Sequence, residues 1–334
     1  MKSRSNVGRV SCAVLAVSMH VAPVLGQGSS AAMGDYPNRV VRIVAPQPPG
    51  SGVDTYVRAI AQRLTESWGQ QVIVDNRPGA NGIIGVEQVT KAKPDGYTIL
   101  AAFTSALVIN PHVYKSLPYD VFRDLAPVMQ TVTNTMGFVV HPNLPARSVK
   151  ELLALAKSRP GELSYASNGV GNVNHLAAEL LAHEAGLKLL HVPYKGATPA
   201  MQDLIGGQVA MYFNPVVGLS PHIRSSKLRL LATCGEKRAS AYPDAPTMVE
   251  SGLPKVVITG WGGFLAPAGT PQDVLGKFQR DAARALQAND LRERLSALGS
   301  EPTASTPEQF AAFLRSETEK WGQVAKQAGV YRSQ

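Results

Sequence analysis

Two short segments carry residue types that could hold a polar or anionic molecule. The first, Pro46-Gln47-Pro48-Pro49-Gly50-Ser51-Gly52-Val53-Asp54, sets glycines that let the backbone come close beside the Ser51 hydroxyl and the Asp54 carboxylate. The second, Ser167-Asn168-Gly169-Val170-Gly171-Asn172-Val173-Asn174-His175, has the same build with amides in place of the acid. Each follows a predicted strand and opens a helical pattern, where the unpaired N–H groups of a helix start attract anions. Asp54 could be a general acid or a cation ligand, but its position fits a helix cap or first-turn carboxylate worth about 1 kcal/mol. His175 could be a general base, yet no serine or cysteine nucleophile setting accompanies it. A helix-start hydrogen bond or a ligand contact is its expected role.

Motifs for catalysis fail in turn. The stretch Gly169-Val170-Gly171-Asn172-Val173-Asn174 falls one glycine short of a dinucleotide fingerprint, and it does not open the first βαβ unit of the chain. There is no GxSxG elbow, P-loop or SxxK, and His183-Glu184 is followed by Ala185-Gly186-Leu187, which excludes HExxH. The seven histidines show no metal-ligand spacing. Tyr194-Lys195-Gly196 lacks the i, i+4 spacing of a dehydrogenase pair and reads as a strand-to-helix loop. Two cradling loops without reaction machinery describe a binder that needs no cofactor and no metal.

The elements that position these loops alternate. Strands are expected at 40–45, 72–74, 97–103, 138–140, 163–166, 189–192, 209–213 and 228–233. Helices are expected between them: one whose face carries Val53, Tyr56, Val57, Ile60, Ala61, Leu64 and Trp68, then 83–91, 175–185 and 199–205. Ser148-Val149-Lys150-Glu151 reads as a capping box opening a helix to Lys157, and Thr270-Pro271 and Thr306-Pro307 open two more. The last helix presents Phe310, Phe313, Leu314, Trp321 and Val324 on one face and should dock back on the first lobe. Strand, helix, strand at this rhythm predicts parallel sheets covered by helices, in two α/β lobes.

Composition narrows the classes further. The 334 residues are 44% hydrophobic and 17% charged, enough apolar content for a folded chain. The formal charge of +9 is scattered, with no basic run of five and no nucleic-acid motif, so nucleic acid is not an expected partner. Lys2, Arg4 and Arg9 precede a mostly apolar stretch from Val10 to Leu25 and small residues beyond Gly26, the pattern of a secretory signal peptide over 1–32 with cleavage near 26 or 32. His20 and Pro23 interrupt the apolar stretch, and no later stretch approaches the roughly 20 apolar residues of a membrane helix. The mature chain is expected to be exported and soluble. Cys12 leaves with the leader, and Cys234 remains as a buried free thiol.

An ordered set of motifs then covers nearly the whole mature chain. Tyr36-Pro37-Asn38-Arg39 precedes the first loop, and Val74-Asp75-Asn76-Arg77-Pro78-Gly79-Ala80-Asn81-Gly82 and Pro94-Asp95-Gly96-Tyr97-Thr98 follow it. After 167–176 come His191-Val192-Pro193-Tyr194-Lys195-Gly196, Asp203-Leu204-Ile205-Gly206-Gly207-Gln208-Val209, and Lys227-Leu228-Arg229. Pro246-Thr247-Met248-Val249-Glu250-Ser251-Gly252 and Ala266-Pro267-Ala268-Gly269-Thr270-Pro271 complete the set. In these motifs the chain resembles the Bug (TctC) family, the periplasmic solute-binding receptors of tripartite tricarboxylate transporters. The resemblance implies a two-lobed α/β periplasmic-binding-protein (Venus-flytrap) fold, with lobe 1 over 36–133 plus 256–334 and lobe 2 over 134–255. It implies a monomer that holds a small carboxylate in the cleft through N–H groups, hydroxyls and waters, and delivers it to membrane transporter subunits.

Carried over to this chain, the ligand-binding residues are Ser51, Gly52, Val53, Asp54, Asn81, Thr104 and Ser105 from the first lobe. From the second they are Ser167, Asn168, Gly169, Asn172, His175, Tyr194 and Asn214. Gln47 stands where the family often has an aromatic residue, and Asn214-Pro215 replaces another polar residue, so the ligand is not copied from a relative. Tricarboxylates, C4 dicarboxylates, acidic amino acids and aromatic carboxylates all remain open. Phe103, Tyr194, Phe213 and Trp261 are candidates for stacking on an aromatic ligand, with core packing as their plainer role. A sensory receptor serving a membrane kinase, and a secreted acid–base enzyme using Asp54 or His175, are the alternative functions.

Overall fold

In the computed structural model, which describes residue 1 and residues 36–297 and 299–334, the β-branched runs become strands and the amphipathic stretches become helices. The expected leader, with Cys12 and both cleavage points, lies outside the described residues. The strands are β1 (Val41–Ala45), β2 (Val72–Asn76), β3 (Thr98–Phe103), β4 (Leu125–Val140) and β5 (Ser164–Ser167), followed by β6 (Leu190–Pro193), β7 (Met211–Pro215), β8 (Arg229–Thr233), β9 (Thr259–Pro267) and β10 (Ser300–Pro302). The helices are α1 (Gly52–Trp68), α2 (Ile83–Thr90), α3 (Asn110–Val113), α4 (Val121–Asp124), α5 (Val149–Ser158) and α6 (Val173–Ala185). After them come α7 (Ala197–Ile205), α8 (Val216–Arg224), α9 (Gln272–Leu286), α10 (Asn289–Ala297) and α11 (Pro307–Gln327). A left-handed turn at Asn81 precedes α2, and a wide π turn spans Ser105–Ile109.

The strand order is β2-β1-β3-β9-β4-β7-β5-β6, with β8 and β10 pairing onto β4. β1, β2 and β3 are mutually parallel, as are β5, β6 and β7. Between these groups β9 and β4 run antiparallel to their neighbours, so the expected parallel sheets are joined into a mixed one. β4 is the joint. Leu125 to Thr135 pairs with β9, whereas Met136 to Val140 pairs with β7. Only 138–140 was legible as strand, because Pro127 and a run of threonine, glutamine and asparagine break the apolar pattern; Pro127 sits where the register shifts, a place that tolerates a missing N–H.

β9 was not anticipated at all, and Gly260, Gly262 and Gly263 break any strand pattern in its stretch. Two of these glycines are demanded by packing. A Cβ on Gly262 would stand 2.0 Å from the Tyr56 hydroxyl, and one on Gly263 would stand 2.3 Å from the Phe310 ring. The strand is thin so that α1 and α11 can press against it.

α1 buries the face read from its spacing, Val53, Tyr56, Val57, Ile60, Ala61 and Leu64, against β1 and α9, and Gly69 ends it in the left-handed region. Ser148 caps α5 through the Glu151 N–H, but the Glu151 carboxylate accepts from Arg147 N–H, so the capping box is only half formed. The full reciprocal box appears at Thr306 and Gln309. Cys234 is a buried free thiol, pushed up by burial. Among the described residues no helix is long and apolar enough to cross a membrane.

α11 does not dock on the first lobe alone. Its apolar face packs on the π turn, on β4 and on α6, spanning both parallel groups. Its anchor is polar. The buried Glu317 carboxylate accepts from the Trp321 indole at 2.9 Å and from the Trp261 indole of β9 at 3.3 Å, and Lys320 neutralises its other oxygen at 3.2 Å. Glu317→Ala leaves two buried indole N–H groups unpaired and should cost about 2–4 kcal/mol in urea unfolding, with Glu317→Gln costing less. Equal stability of the alanine variant would show that this anchor carries no weight.

Candidate functional site

The first loop leaves β1 at Ala45 and enters α1 at Gly52, with Gly50 at φ 78° making the turn. Ser51 is the N-cap, its Oγ accepting from Asp54 N–H at 3.3 Å. The Asp54 carboxylate turns inward: Oδ2 accepts from Gly50 N–H at 2.9 Å and from Arg58 Nε at 3.0 Å, and Oδ1 accepts from Asn76 Nδ2 at 2.9 Å. Burial alone would raise its pKa, but the hydrogen bonds from Arg58, Gly50 and Asn76 outweigh it and hold the group below the usual range. Asn76 also donates to Gln47 O at 3.0 Å, so Asp54 and Asn76 brace the loop against the end of β2. Val53 packs into the core. The first N–H groups of α1, at Gly52 and Val53, have no acceptor within the helix, and a Cβ at Gly52 would meet no atom within 4 Å.

The second loop leaves β5 at Ser167. Gly169 and Gly171 have φ values of 128° and 73°, which only glycine adopts without strain. Asn172 is the N-cap of α6, its Oδ1 accepting from Asn174 N–H at 3.3 Å. His175 makes the helix-start hydrogen bond: Gly171 N–H donates to its Nδ1 at 3.2 Å. Beneath the loop lies a stack of three rings. His175 and His191 have centroids 4.0 Å apart, and Tyr165 lies 4.9 Å beyond His191. Tyr165 donates its hydroxyl to Glu179, whose carboxylate also stands 3.9 Å from His175 Nε2. His191 Nε2 is 2.6 Å from Ser167 Oγ. Burial, reinforced for His175 by its neighbour His191, pushes His175 down to about 3, and burial pushes His191 down to about 4.

Between the loops, three hydrogen bonds and one close approach converge. Asn172 Nδ2 donates to Asn81 Oδ1 at 3.1 Å, and Asn81 Nδ2 donates to the fully buried Asn110 Oδ1 at 2.7 Å. Val173 N–H, the first of α6, donates to Ser105 Oγ at 3.3 Å. A Cβ on Gly171 would stand 2.5 Å from Val113. The Asn81 turn is tied to the first loop as well, because Gly85 of α2 lies so near Pro46 that a Cβ would stand 2.6 Å from it.

Of the remaining residues singled out from sequence, Thr104 is buried and accepts from Trp261 N–H at 3.0 Å, tying β3 to β9. Asn168 accepts from the Tyr212 hydroxyl, and Asn214 Oδ1 accepts from Asn174 Nδ2 at 3.2 Å. The Tyr194 hydroxyl donates to Asp203 at 2.7 Å, and burial with that partner pushes it up to about 12. Trp261 and Phe213 are core residues, packed on Phe310 and Phe138 respectively. The structure thus joins Asn81 directly to Asn172, ties Ser105 to the next residue, Val173, and gathers Ser167, Gly169 and His175 in one loop. Asn110 and His191 were missed. His191 lay in a quoted motif, but nothing local shows that the β6 strand pairing brings it under Ser167.

Neutral buried imidazoles make stability depend on pH. In the unfolded chain both rings take up a proton near 6.5, in the native chain only near 4 and 3, so the unfolded state binds more protons in that window. Stability therefore falls as pH drops from 6.5 through 4. Replacing both histidines by glutamine should remove on the order of 6 kcal/mol of the difference between about pH 7 and about pH 4, measured by urea unfolding. An unchanged slope would contradict the neutral pair.

Residues 56–330 match the tripartite tricarboxylate transporter family receptor, TctC. Protein BugT of Bordetella pertussis is 37% identical over 296 residues, covering 88% of this chain and 91% of BugT. The solved structure of R. palustris Rpa4515 with adipate is similar at a TM-score of 0.84 and 32% identity, covering 89% of this chain and 99% of that one. MatC (Rpa3494) from Rhodopseudomonas palustris with bound malate is similar at a TM-score of 0.79 and 28% identity, covering 86% and 99%. The fold is the two-lobed α/β fold of periplasmic binding proteins. By sequence and by fold the chain belongs to the tripartite tricarboxylate transporter receptor family, the Bug (TctC) proteins, whose members are periplasmic solute-binding receptors and not enzymes.

Proposed function

We propose that this chain is an extracytoplasmic receptor that captures a small carboxylate by lobe closure and hands it to a membrane transporter of the tripartite tricarboxylate type. The lobes are 36–133 with 256–334, and 134–255. The observation that carries the reading is the start of α6, where Asn172 and Val173 hydrogen-bond to Asn81 and Ser105 across that division. A glycine-rich helix start that bonds to the opposite lobe can surround an anion with N–H and hydroxyl donors from both sides. Arg58 is already spent on Asp54 and Asn76, so those donors, and no free guanidinium of that loop, would take the charge. A ligand shifts the open–closed balance only by its extra affinity for the closed state, which is what contacts to both lobes supply.

Adipate and malate, bound in the two similar structures, make dicarboxylates the first ligands to test. The basic, then apolar N-terminal stretch, together with the periplasmic family, supports export with cleavage near 26 or 32. In a thermal-shift series on the mature chain, a bound carboxylate at 100 times its Kd should add about 2.7 kcal/mol, and its uncharged diamide should add nothing. Ser105→Ala should weaken that ligand about 3- to 10-fold by removing a hydrogen bond that holds the closed state together across the two lobes. Equal shifts with acid and diamide would contradict capture of a carboxylate.

A further inference from the structure

We infer that His191 is a positioning residue for ligand capture: as the Nε2–H tautomer it donates to Ser167 Oγ and thereby makes the Ser167 hydroxyl a donor for a carboxylate. The inference rests on reading the loop after β5 as ligand-binding, and it adds how that loop favours an anion without a positively charged side chain.

The argument is one of counting protons. A serine hydroxyl has one proton to give and two lone pairs to receive with. Three groups surround the buried Ser167 Oγ: His191 Nε2 at 2.6 Å, Gly169 N–H at 3.2 Å and Gly169 O at 3.2 Å. Gly169 N–H can only donate, and Gly169 O can only accept. The contact with Gly169 O is favourable only when the serine proton points there, and then His191 Nε2 must carry its own proton. With a bare Nε2 the serine proton would be drawn to the ring, and Oγ would face both Gly169 O and any incoming carboxylate with lone pairs alone. The ring therefore decides whether Ser167 attracts or repels an anion. When a carboxylate arrives, the serine proton passes from a neutral carbonyl partner to a charged one, which is the stronger hydrogen bond.

The setting holds the ring for this task. His191 lies between Tyr165 and His175, with interplanar angles of 13° and 16°, so it cannot rotate without breaking the stack. His175 fixes the far end of the same loop through Gly171 N–H. Packing alone would ask only for a flat ring at position 191, whereas the Ser167 contact asks for a donor nitrogen.

Nitrogen-15 NMR of histidine-labelled protein reads the tautomer without any ligand. A protonated Nε2 with a bare Nδ1 is expected at His191, and the reverse assignment overturns the proposal. His191→Phe keeps a flat ring but no nitrogen, and should weaken binding of malate or adipate about 5- to 10-fold. His191→Gln, which restores an N–H donor, should return the affinity to within about threefold. Adding Ser167→Ala to His191→Phe should cost nothing more. Unchanged affinity in the phenylalanine variant, or a glutamine variant that folds yet binds no better than it, overturns the proposal. If the unaltered chain binds neither malate nor adipate, the tautomer still decides the inference, and it is the dicarboxylate reading that fails.

Discussion

The arrangement depends on a single strand. β4 runs unbroken for 16 residues, pairing first with β9 and then with β7, so both parallel groups of strands hang from one backbone. β1 and β5, each in one of these parallel groups, run at their carboxyl ends into the glycine-rich starts of α1 and α6. Open α/β sheets place ligands at such ends. The Glu317 carboxylate secures the same junction from the other side, fastening α11 to β9 through two indoles.

Charge is managed by the same economy. The one carboxylate in the first loop is spent on its immediate neighbours, Gly50 of the loop, Arg58 of α1 and Asn76 of β2. The two histidines under the second loop are kept neutral by burial. On the proposed reading, what is left to meet a guest is dipolar: amides, hydroxyls and helix-start N–H groups. Such a lining neither repels an anion nor holds it as firmly as a fixed cation would, which suits a receptor that must also release its cargo. The imidazoles give the second loop its shape, and their neutrality ties that shape to pH.

Much of this was legible in the residues. The helix face of α1, the first-turn place of Asp54, the caps at Ser148 and Thr306, and the two loops follow from local rules of spacing and hydrogen bonding, whereas Ser51, read as a ligand hydroxyl, is the cap of α1. What escaped was non-local. β9 is built of glycines because Tyr56 and Phe310 press on it from α1 and α11, a demand invisible in its own stretch. β4 was seen only at its apolar end, since its polar half is stabilised by neighbours on both sides, β9 and β10. α11 was assigned to one lobe where its face meets both, and the half-formed box at Ser148 turned on where one glutamate reaches. Asn110 and His191 act on the loops from other strands and turns, so only the assembled sheet brings them near.

The central claim is that a carboxylate is held by dipoles from both lobes. The most direct measurement is a crystal structure of the mature chain with malate or adipate. The account predicts carboxylate oxygens within hydrogen-bonding distance of Ser167 Oγ and of amide N–H groups at the starts of α1 and α6, with Asp54 still bound to Arg58. A ligand held instead by a lysine or arginine side chain, or lying away from the α6 start, would contradict it.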